Sequence, residues 1–374
     1  MRRYDIVVIG GGPGGATFAR ELAKVCPDRK IALVDAKPKT GSKVCGGLLA
    51  PDAQKVLAQF DLSLPKSVLA DPQIFDVRTL DLPSGIERHY QRHYLNMDRA
   101  VFDEWLLSLI PEQVDIIRGR CVALSRCPDG FRLAVDRDGE KEEILAARLV
   151  GADGGSSIVR RQFFGLPAKQ YVAIQEHFVD SGANIANYSC IFDPVTSTSC
   201  SWTIRKDGHV IFGGAFDREG CREAYEKQKE RLEKYLGRSL GKAFIREACL
   251  VTSPRRWRDF ALGRDGVFLV GEAAGFVSAS SFEGISSAFL SGKYLADAFA
   301  QGEDAQKILR LYQRKTAKLR LKLLGKIVKM RILFCPFLRR AIMQCGICSI
   351  DKYSLQECRS AKKPQNVIHR PGRA

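Results

Sequence analysis

The sequence predicts an α/β protein in which a Rossmann-like parallel sheet is interleaved with an α+β domain and followed by a basic helical C-terminus. Short apolar runs end at glycine-rich turns near residues 10, 151 and 271, as buried parallel strands do before a helix. Residues 168–254 lack this strand–helix alternation, which indicates a second domain with longer strands. A chain of 374 residues is long enough to bury the core of both.

The first turn has the spacing Gly-x-Gly-x-x-Gly directly after the apolar strand Tyr4–Ile9. Its residues are Gly10, Gly12, Pro13, Gly14 and Gly15. Glycines let the chain turn tightly and let a pyrophosphate approach the N-terminus of the next helix. A second apolar strand ends at Asp35, 20 residues after Gly15, where a carboxylate can bind ribose hydroxyls, and Ala36 follows it. This unit predicts dinucleotide binding.

The charge of the chain is concentrated at one end. The net charge is +17, and residues 305–374 contain 18 Lys or Arg against 2 Asp or Glu, so the remainder is nearly neutral. Aromatic residues that could stack on bases are sparse there, and we expect no nucleic-acid binding. Twelve cysteines, no secretory leader and no apolar run of membrane-spanning length favour a cytoplasmic protein with reduced thiols.

A second glycine-rich stretch covers residues 39–48 and includes Lys43, Cys45, Gly46 and Gly47. Small residues let a backbone run close to a flat ligand; the alternative is an ordinary surface loop with a solvated lysine. A helix is expected from Pro51.

Local signals predict the next elements. Residues 72–94 alternate as an antiparallel hairpin of the second domain, and Asp98 is placed to cap a helix that runs from Arg99 to Ile110. Arg99 either reaches a phosphate or is solvated.

A strand at Val114–Ile117 returns to the parallel sheet. The following segments predict a three-stranded meander and then a separate strand that ends at a second glycine turn: Arg120–Leu124, Phe131–Val135, Glu142–Leu145 and Arg148–Gly151.

The second domain continues with four strands and the charged helix Arg222–Leu236. The strands are Val172–Val179, Tyr188–Phe192, Thr198–Ile204 and Val210–Gly213. At least one of Trp202, Ile204 and Phe212 is expected in the core. The third glycine turn, Gly271–Gly275, then leads to a helix that begins near residues 281–284 and ends near Phe299.

A basic amphipathic helix is predicted from Leu309 to about Arg331, and Pro336 should end or kink it. Apolar residues at helical spacing are Tyr312, Leu319, Leu323, Ile327, Met330 and Phe334. A basic stripe comprises Lys318, Lys322, Lys326 and Lys329. The helix lies on an anionic membrane surface or packs on the protein with its basic side in water.

Four cysteines fall in the tail, and only Cys345 and Cys348 form a close pair; the others are Cys335 and Cys358. Their spacing matches no standard zinc or iron–sulfur motif, so we predict no metal and keep Cys345 and Cys348 as the only candidates.

Three glycine turns are more than NAD requires and suit FAD, whose adenosine, pyrophosphate and ribityl–flavin parts each need a cradle. With Lys43–Leu48 and Ala273–Ile285, the order of motifs resembles the geranylgeranyl reductase branch of the flavoprotein monooxygenases. That superfamily has the para-hydroxybenzoate hydroxylase fold, also called the glutathione reductase-2 type.

The resemblance implies a role for each candidate residue. Gly10, Gly12, Gly15 and Asp35 would bind the ADP half, with Arg99 and Val122 along the cofactor and Cys45 near the flavin face. The remaining implied contacts are Ala152, Asp153, Gly154, Gly271, Glu272, Gly275, Gly284 and Ile285. Relatives usually carry Asp where this chain has Glu272, so that contact is expected to be indirect. Of the aromatic strand that lines the reductases' lipid tunnel, only Trp202 is kept.

These observations predict an FAD-dependent oxidoreductase that reduces C=C bonds of a prenyl or polyprenyl lipid at the membrane face, with Cys45 and Trp202 in catalysis. NAD(P)H or ferredoxin would donate electrons transiently. A flavin monooxygenase or halogenase is the alternative, although residues 200–205 keep only part of the halogenase motif. A non-catalytic, flavin-bound membrane or resistance factor is the third.

The predicted domain boundaries follow the motifs. Residues 1–70, 95–165 and 255–300 would form the FAD-binding domain, residues 71–94 and 166–254 the substrate domain, and residues 301–374 the basic helical region.

Overall fold

The computed structural model describes residues 1–36, 44–166, 169–180, 182 and 185–353, and within them the chain forms two eight-stranded sheets. The strands of the first sheet are β1 (Arg2–Ile9), β2 (Ile31–Asp35), β6 (Val114–Arg118), β7 (Arg120–Cys127), β8 (Gly130–Arg137), β9 (Glu140–Gly151), β15 (Gly263–Arg264) and β16 (Val267–Leu269). The strands of the second sheet are β3 (Leu48–Leu49), β4 (Ile74–Asp81), β5 (Ile86–Asn96), β10 (Gln170–Val179), β11 (Tyr188–Phe192), β12 (Ser201–Lys206), β13 (His209–Phe216) and β14 (Ile245–Thr252).

Several of the helices begin where the sequence places a cap or a proline. The helices that the structure describes are α1 (Pro13–Val25), α2 (Pro51–Gln59), α3 (Arg99–Ser108), α4 (Ile158–Phe164), α5 (Cys221–Leu236), α6 (Ile285–Gln301), α7 (Ala305–Lys315), α8 (Ala317–Phe334) and α9 (Pro336–Gln344). Pro13 and Pro51 occupy first-turn positions, where no backbone N–H is needed. The Asp98 side chain accepts hydrogen bonds from the backbone N–H groups of Ala100 and Val101, which confirms the predicted cap.

The three glycine turns meet at one edge of the first sheet. Its central order is β15-β16-β9-β1-β2-β6, and β1 runs parallel to both β2 and β9. Ile9 at the end of β1 pairs with Gly151 at the end of β9, and Gly151 also pairs with Leu269 at the end of β16. The carboxyl ends of three neighbouring strands therefore deliver the three turns to the same place, as predicted.

The meander differs from the prediction in one respect. The two strands expected at Glu142–Leu145 and from Arg148 are one strand, β9. Its first part pairs with β8 in an antiparallel manner, and it also pairs with β1 in a parallel manner over Ile144–Gly151. A strand has two hydrogen-bonding edges, so one strand serves the meander and the parallel sheet without a turn between them.

The second sheet has the order β14-β10-β13-β12-β11-β4-β5-β3, and all its neighbours are antiparallel except β11 and β4. On one face Phe212 packs with Tyr225 and Leu232 of α5 in a buried cluster. On the other face Ile204 is buried and Trp202 is half-buried beside Tyr94. Phe212 and Ile204 are thus core residues, as expected.

The C-terminal helical region packs on the body of the protein. The helix expected from Leu309 to Arg331 is divided at Thr316 into α7 and α8, and Pro336 separates α8 from α9 as predicted. The predicted apolar stripe is buried at Tyr312, Leu319, Leu323, Ile327 and Met330. These side chains contact the protein, so they do not enter a bilayer; of the two alternatives for this stripe, packing on the protein is correct. No helix in the described ranges is long and apolar enough to cross a membrane.

The tail cysteines gain no partner ligands in the part of the chain that the structure describes. No group of three or more His, Cys, Asp or Glu there is arranged to hold a metal ion. Cys345 and Cys348 have exposed thiols, and Cys358 lies outside the described residues.

Candidate active site

A cavity of about 1300 Å³ opens between the glycine-turn edge of the first sheet and one face of the second. Most of the predicted site residues line it: Gly10, Gly12, Pro13, Gly14, Asp35, Ala36, Cys45, Gly46, Arg99, Val122, Ala152, Asp153, Gly154, Trp202, Gly271, Glu272, Gly284 and Ile285. Gly15, Gly47 and Gly275 do not line it, and Lys43 lies outside the described residues. Cavities of about 300–1,000 Å³ hold drug-sized ligands, so this one has room for a dinucleotide and a second molecule.

The glycines of the first turn have separate physical tasks. Gly10 has φ +108°, a conformation that side chains disfavour. A Cβ at Gly15 would overlap the Gly10 carbonyl oxygen, so Gly15 allows α1 to pack on β1. A Cβ at Gly12 would meet no atom within 4 Å, because that position faces the open cavity. Gly12 therefore leaves room for a ligand, while Gly10 and Gly15 shape the turn.

Asp35 lies at the end of β2, beside the first glycine turn. Its carboxylate accepts a hydrogen bond from the Gly11 backbone N–H (3.1 Å) and pairs with Arg118 (2.7 Å). Burial raises the pKa of Asp35, while Arg118 and the Gly11 N–H act against this increase. These contacts hold the carboxylate at the cavity wall, where the prediction places the ribose hydroxyls.

Asp153 and Glu272 reach the wall, but their carboxylates bind to the protein. Asp153 accepts hydrogen bonds from the Ser157 hydroxyl (2.5 Å) and the Ile158 backbone N–H (2.7 Å) at the start of α4. Glu272 accepts one from the Thr252 backbone N–H (2.9 Å). The protein thus holds both carboxylates at the cavity wall, and the indirect contact expected of Glu272 stays a prediction.

The Cys45 loop lies beside two cations. The Cys45 sulfur accepts a hydrogen bond from the Gly47 backbone N–H (3.4 Å) and contacts the guanidinium of Arg99. Burial acts to lower the pKa of Arg99, but Asp103, 3.0 Å away, and Cys45 raise it above its ordinary value. Lys206 donates to the carbonyl oxygens of Met97 (2.5 Å) and Gly47 (3.4 Å), and burial lowers its pKa to about 8. Arg99 is thus paired within the protein.

Gly47 has φ +65°, and a Cβ there would overlap the Lys206 ammonium and the Met97 carbonyl oxygen. Gly47 therefore determines the backbone conformation of the Cys45 loop, although it does not line the cavity itself.

Sequence reasoning gave no role to a polar cluster at the side of the cavity. The Tyr94 hydroxyl donates to Glu283 Oε1 (2.8 Å), and Arg92 donates to the same oxygen (3.1 Å). Lys326 of α8 lies 4.0 Å from the other oxygen of Glu283. Burial and the Glu283 charge raise the pKa of Tyr94. Tyr94 and Glu283 both line the cavity, and Tyr188 packs edge-to-face on Tyr94 at 5.4 Å between ring centroids.

Backbone strain occurs next to this cluster. Phe282 has φ +54°, although it is not a glycine; it lines the cavity, and its side chain packs against Tyr171. Residues held in such conformations concentrate at ligand sites. The available signal was the motif Ser281–Ile285, at the start of the helix expected after the third glycine turn.

A cavity with three glycine turns at one end and aromatic residues at the other defines an FAD-dependent enzyme of the oxidoreductase and monooxygenase class. The family model described as "FAD binding domain" matches residues 130–324. The chain belongs to this FAD-binding family.

Several known proteins are similar to this chain. The chain is 42% identical to Protein CbrA of Escherichia coli O6:H1, over 94% of this chain and 96% of that protein. Among solved structures, it is similar to a geranylgeranyl bacteriochlorophyll reductase-like protein from Thermoplasma acidophilum, with a TM-score of 0.77, 19% identity and 96% coverage of both chains. It is also similar to a triple mutant of the flavin-dependent brominase Bmp2, with a TM-score of 0.68, 17% identity and coverage of 96% and 98%. At these identities the two structures support the fold alone.

The residues present fit FAD. The open position at Gly12, the N-terminus of α1 and the carboxylate of Asp35 would hold the ADP half, and the Cys45 loop and the start of α6 would flank the flavin.

Proposed function

We propose that this flavoprotein reduces C=C bonds of a prenyl or polyprenyl lipid at a membrane surface. The observation that carries the proposal is the aromatic and apolar wall that the second sheet adds to the cavity. Tyr94, Tyr188, Trp202 and Ile204 line it, beyond the glycine turns that a dinucleotide needs. Such a wall can bind the hydrocarbon chain of a lipid.

Bound, reduced FAD supplies a hydride for one carbon of the double bond. The apolar wall excludes water and orients the chain. The other carbon needs a proton, and Tyr94 holds one at its hydroxyl. The Tyr94 hydrogen, which otherwise points to Glu283, would turn to the lipid, and Lys326 at the edge of α8 would return a proton to Tyr94 through Glu283, whose carboxylate Arg92 holds in place. The net change is the addition of two hydrogens to the lipid.

The outer face of α8 and α9 supports action at a membrane. Leu321 and Val328 are each 61% exposed, and Phe337 is 78% exposed. Lys318 and Lys329 are exposed on the side of α8 that carries Leu321 and Val328. Exposed apolar side chains among basic ones bind anionic lipid surfaces. The proposed membrane contact therefore uses these exposed residues and not the apolar stripe that the sequence indicated, which is buried.

The electron donor is proposed as NAD(P)H or ferredoxin. The sequence carries one dinucleotide fingerprint, and the structure assigns it to the end of β1, where FAD fits. The donor would therefore bind transiently.

The test is anaerobic photoreduction of the FAD-loaded protein, followed by mixing with polyprenyl lipids. We expect the flavin to reoxidise and the lipid to become heavier by two hydrogens. Reduced flavin that persists with every prenyl lipid would overturn the proposal. A hydroxylated product formed with NAD(P)H and oxygen would favour a monooxygenase, the class to which several proteins of this fold belong.

A further inference from the structure

One row of residues crosses the second sheet on its cavity face. Glu247 of β14 pairs with Gln175 of β10, Gln175 with Gly213 of β13, and Gly213 with Trp202 of β12. Gly213 has no side chain, so Gln175 and Trp202 approach each other across it. A Cβ at Gly213 would lie 2.6 Å from Trp202 Nε1 and 2.9 Å from Gln175 Cβ. Gln175 and Trp202 both line the cavity.

The amide of Gln175 has a fixed orientation. Its Nε2 donates to Glu247 Oε2 (2.8 Å) and to the Cys45 carbonyl oxygen (3.4 Å). Both partners can only accept, so the nitrogen must face them and the oxygen must face away. Gln175 is 1% exposed, and its Oε1 has no hydrogen-bond partner among the described residues. A buried acceptor without a donor is costly, which indicates that a ligand supplies one.

Trp202 presents the complementary group. Its Nε1 is buried and has no acceptor within the described part of the chain. An indole N–H can only donate. The row thus holds one buried donor and one buried acceptor at Gly213, where the indole fills the place that a side chain would take. A hydroxyl group satisfies both, because its oxygen accepts from Trp202 while its hydrogen is donated to Gln175.

We infer that Trp202 Nε1 and Gln175 Oε1 bind a hydroxyl group of the apolar ligand, so that the substrate is a neutral alcohol such as a prenol. This inference rests on the proposed function. The charges nearby support a neutral group. The lining cations Arg120 and Arg161 lie on the glycine-turn side, near Asp35 and Ser156, where FAD would bind. Nearer the second sheet, Arg99 is paired with Asp103, and Glu283 at the cavity side is shared by Arg92 and Lys326. A diphosphate would find cations that are already paired and would be repelled by Glu283. A neutral alcohol has no charge that needs a partner.

The experiment measures binding to the oxidised, FAD-loaded protein. Geranylgeraniol, its O-methyl ether and geranylgeranyl diphosphate are titrated while the flavin difference spectrum is followed. We expect the alcohol to bind about tenfold tighter than the ether, because the ether cannot donate to Gln175. The diphosphate should bind more weakly than the alcohol. Trp202→Phe removes the indole donor but keeps an aromatic ring, and Gly213→Ala places a methyl against the indole nitrogen and displaces it.

Both variants should bring the alcohol-to-ether ratio close to one. Trp257→Phe is the matched control, since Trp257 is 45% exposed and contacts Arg320 instead of the cavity. It should keep the ratio of the unchanged protein.

The outcomes separate this inference from the proposed function. Equal binding of alcohol and ether by a protein that reduces both overturns the hydroxyl site and leaves lipid reduction intact. Tight diphosphate binding overturns the neutral substrate. A changed FAD dissociation constant in Trp202→Phe, with an unchanged alcohol-to-ether ratio, would show that Trp202 contacts the flavin and overturn the inference. If no prenyl compound binds or is reduced, the proposed function falls, and this inference with it.

Discussion

The Tyr94 hydroxyl donates a hydrogen bond to Glu283 Oε1 (2.8 Å). This bond joins β5 of the second sheet to the turn before α6. The two residues lie 189 positions apart in the chain. Their bond lies in the wall of the cavity, where the FAD-binding half of the protein meets the aromatic half.

Tyr94→Phe tests the proposed proton path. Because the variant keeps the ring and loses only the hydroxyl, we expect reduction of the lipid to slow by about 100-fold or more, with FAD affinity unchanged. Tyr188→Phe is the matched control, since Tyr188 packs on Tyr94 but has no such bond to Glu283. Single-turnover flavin reoxidation measures both. Equal rates for the two variants would contradict a special role for Tyr94.

Two glycine variants separate folding from cofactor binding. Gly12→Ala places its methyl in the open cavity, at a backbone conformation that alanine adopts readily, so the apoprotein should stay stable while FAD binds at least about tenfold more weakly. Gly15→Ala would drive a methyl into the Gly10 carbonyl, so the free energy of unfolding of the apoprotein should fall by at least about 2 kcal/mol. Denaturant unfolding and FAD titration measure these effects. A stable Gly15→Ala protein with normal FAD affinity would argue against this packing.

Asp81→Asn tests the ion pair that attaches α9 to the second sheet. Arg339 donates to Asp81 Oδ2 (2.6 and 2.9 Å), and both side chains are buried. Removing one member of a buried pair costs about 3–5 kcal/mol of unfolding free energy at neutral pH. Asp129→Asn is the control, because Asp129 pairs with Arg3 at an exposed site. A loss no larger than that of the control would contradict the assignment.

The same pair predicts a dependence on pH. Burial acts to raise the pKa of Asp81, but Ser84, Arg339 and Arg340 lower it below its ordinary value of 3.8. A carboxyl whose pKa is lower in the folded state adds stability above its unfolded pKa and loses it as the pH falls through the folded pKa. The difference between the native protein and Asp81→Asn should therefore be full near neutral pH and shrink at pH values below 3.8. A difference that grows on acidification would contradict this.

Cys45→Ala tests the predicted catalytic thiol. The sulfur contacts Arg99 and the Gly47 N–H beside the cavity, so its loss should alter the flavin spectrum and slow turnover by at least about tenfold. Cys249→Ala serves as the control within the same wall, where the thiol donates to the Val44 carbonyl (3.8 Å). An unchanged spectrum and unchanged turnover would remove Cys45 from the site.

Leu321→Glu tests the membrane surface. The change places a negative charge on the exposed basic face of α8, and binding to vesicles that contain phosphatidylglycerol should weaken by about tenfold. Leu166→Glu is the matched control, since Leu166 is 65% exposed and Leu321 is 61% exposed. Vesicle cosedimentation measures both. Equal weakening by the two variants would show that α8 has no particular role.

Several elements could be predicted because their signals are local. Pro13 begins α1, Asp98 caps α3 and Pro336 separates two helices, and each acts within one or two turns of its own position. Strand β14 was missed because it is an edge strand with polar residues, and it shows no clear alternation. The apolar stripe of α8 was visible, but its spacing is the same whether a protein core or a bilayer covers it.

The amino-acid sequence alone settled that three glycine turns lie at strand ends, and hence that the chain binds a dinucleotide, because the turn, the helix start and the acidic residue all lie within short segments. Folding decided which side chains meet. Asp153 and Glu272 turn to backbone N–H groups, Tyr94 reaches Glu283, and Gln175 meets Trp202 across Gly213. Such pairs depend on the register between strands distant in sequence, and a shift of one residue would reverse the face of every side chain.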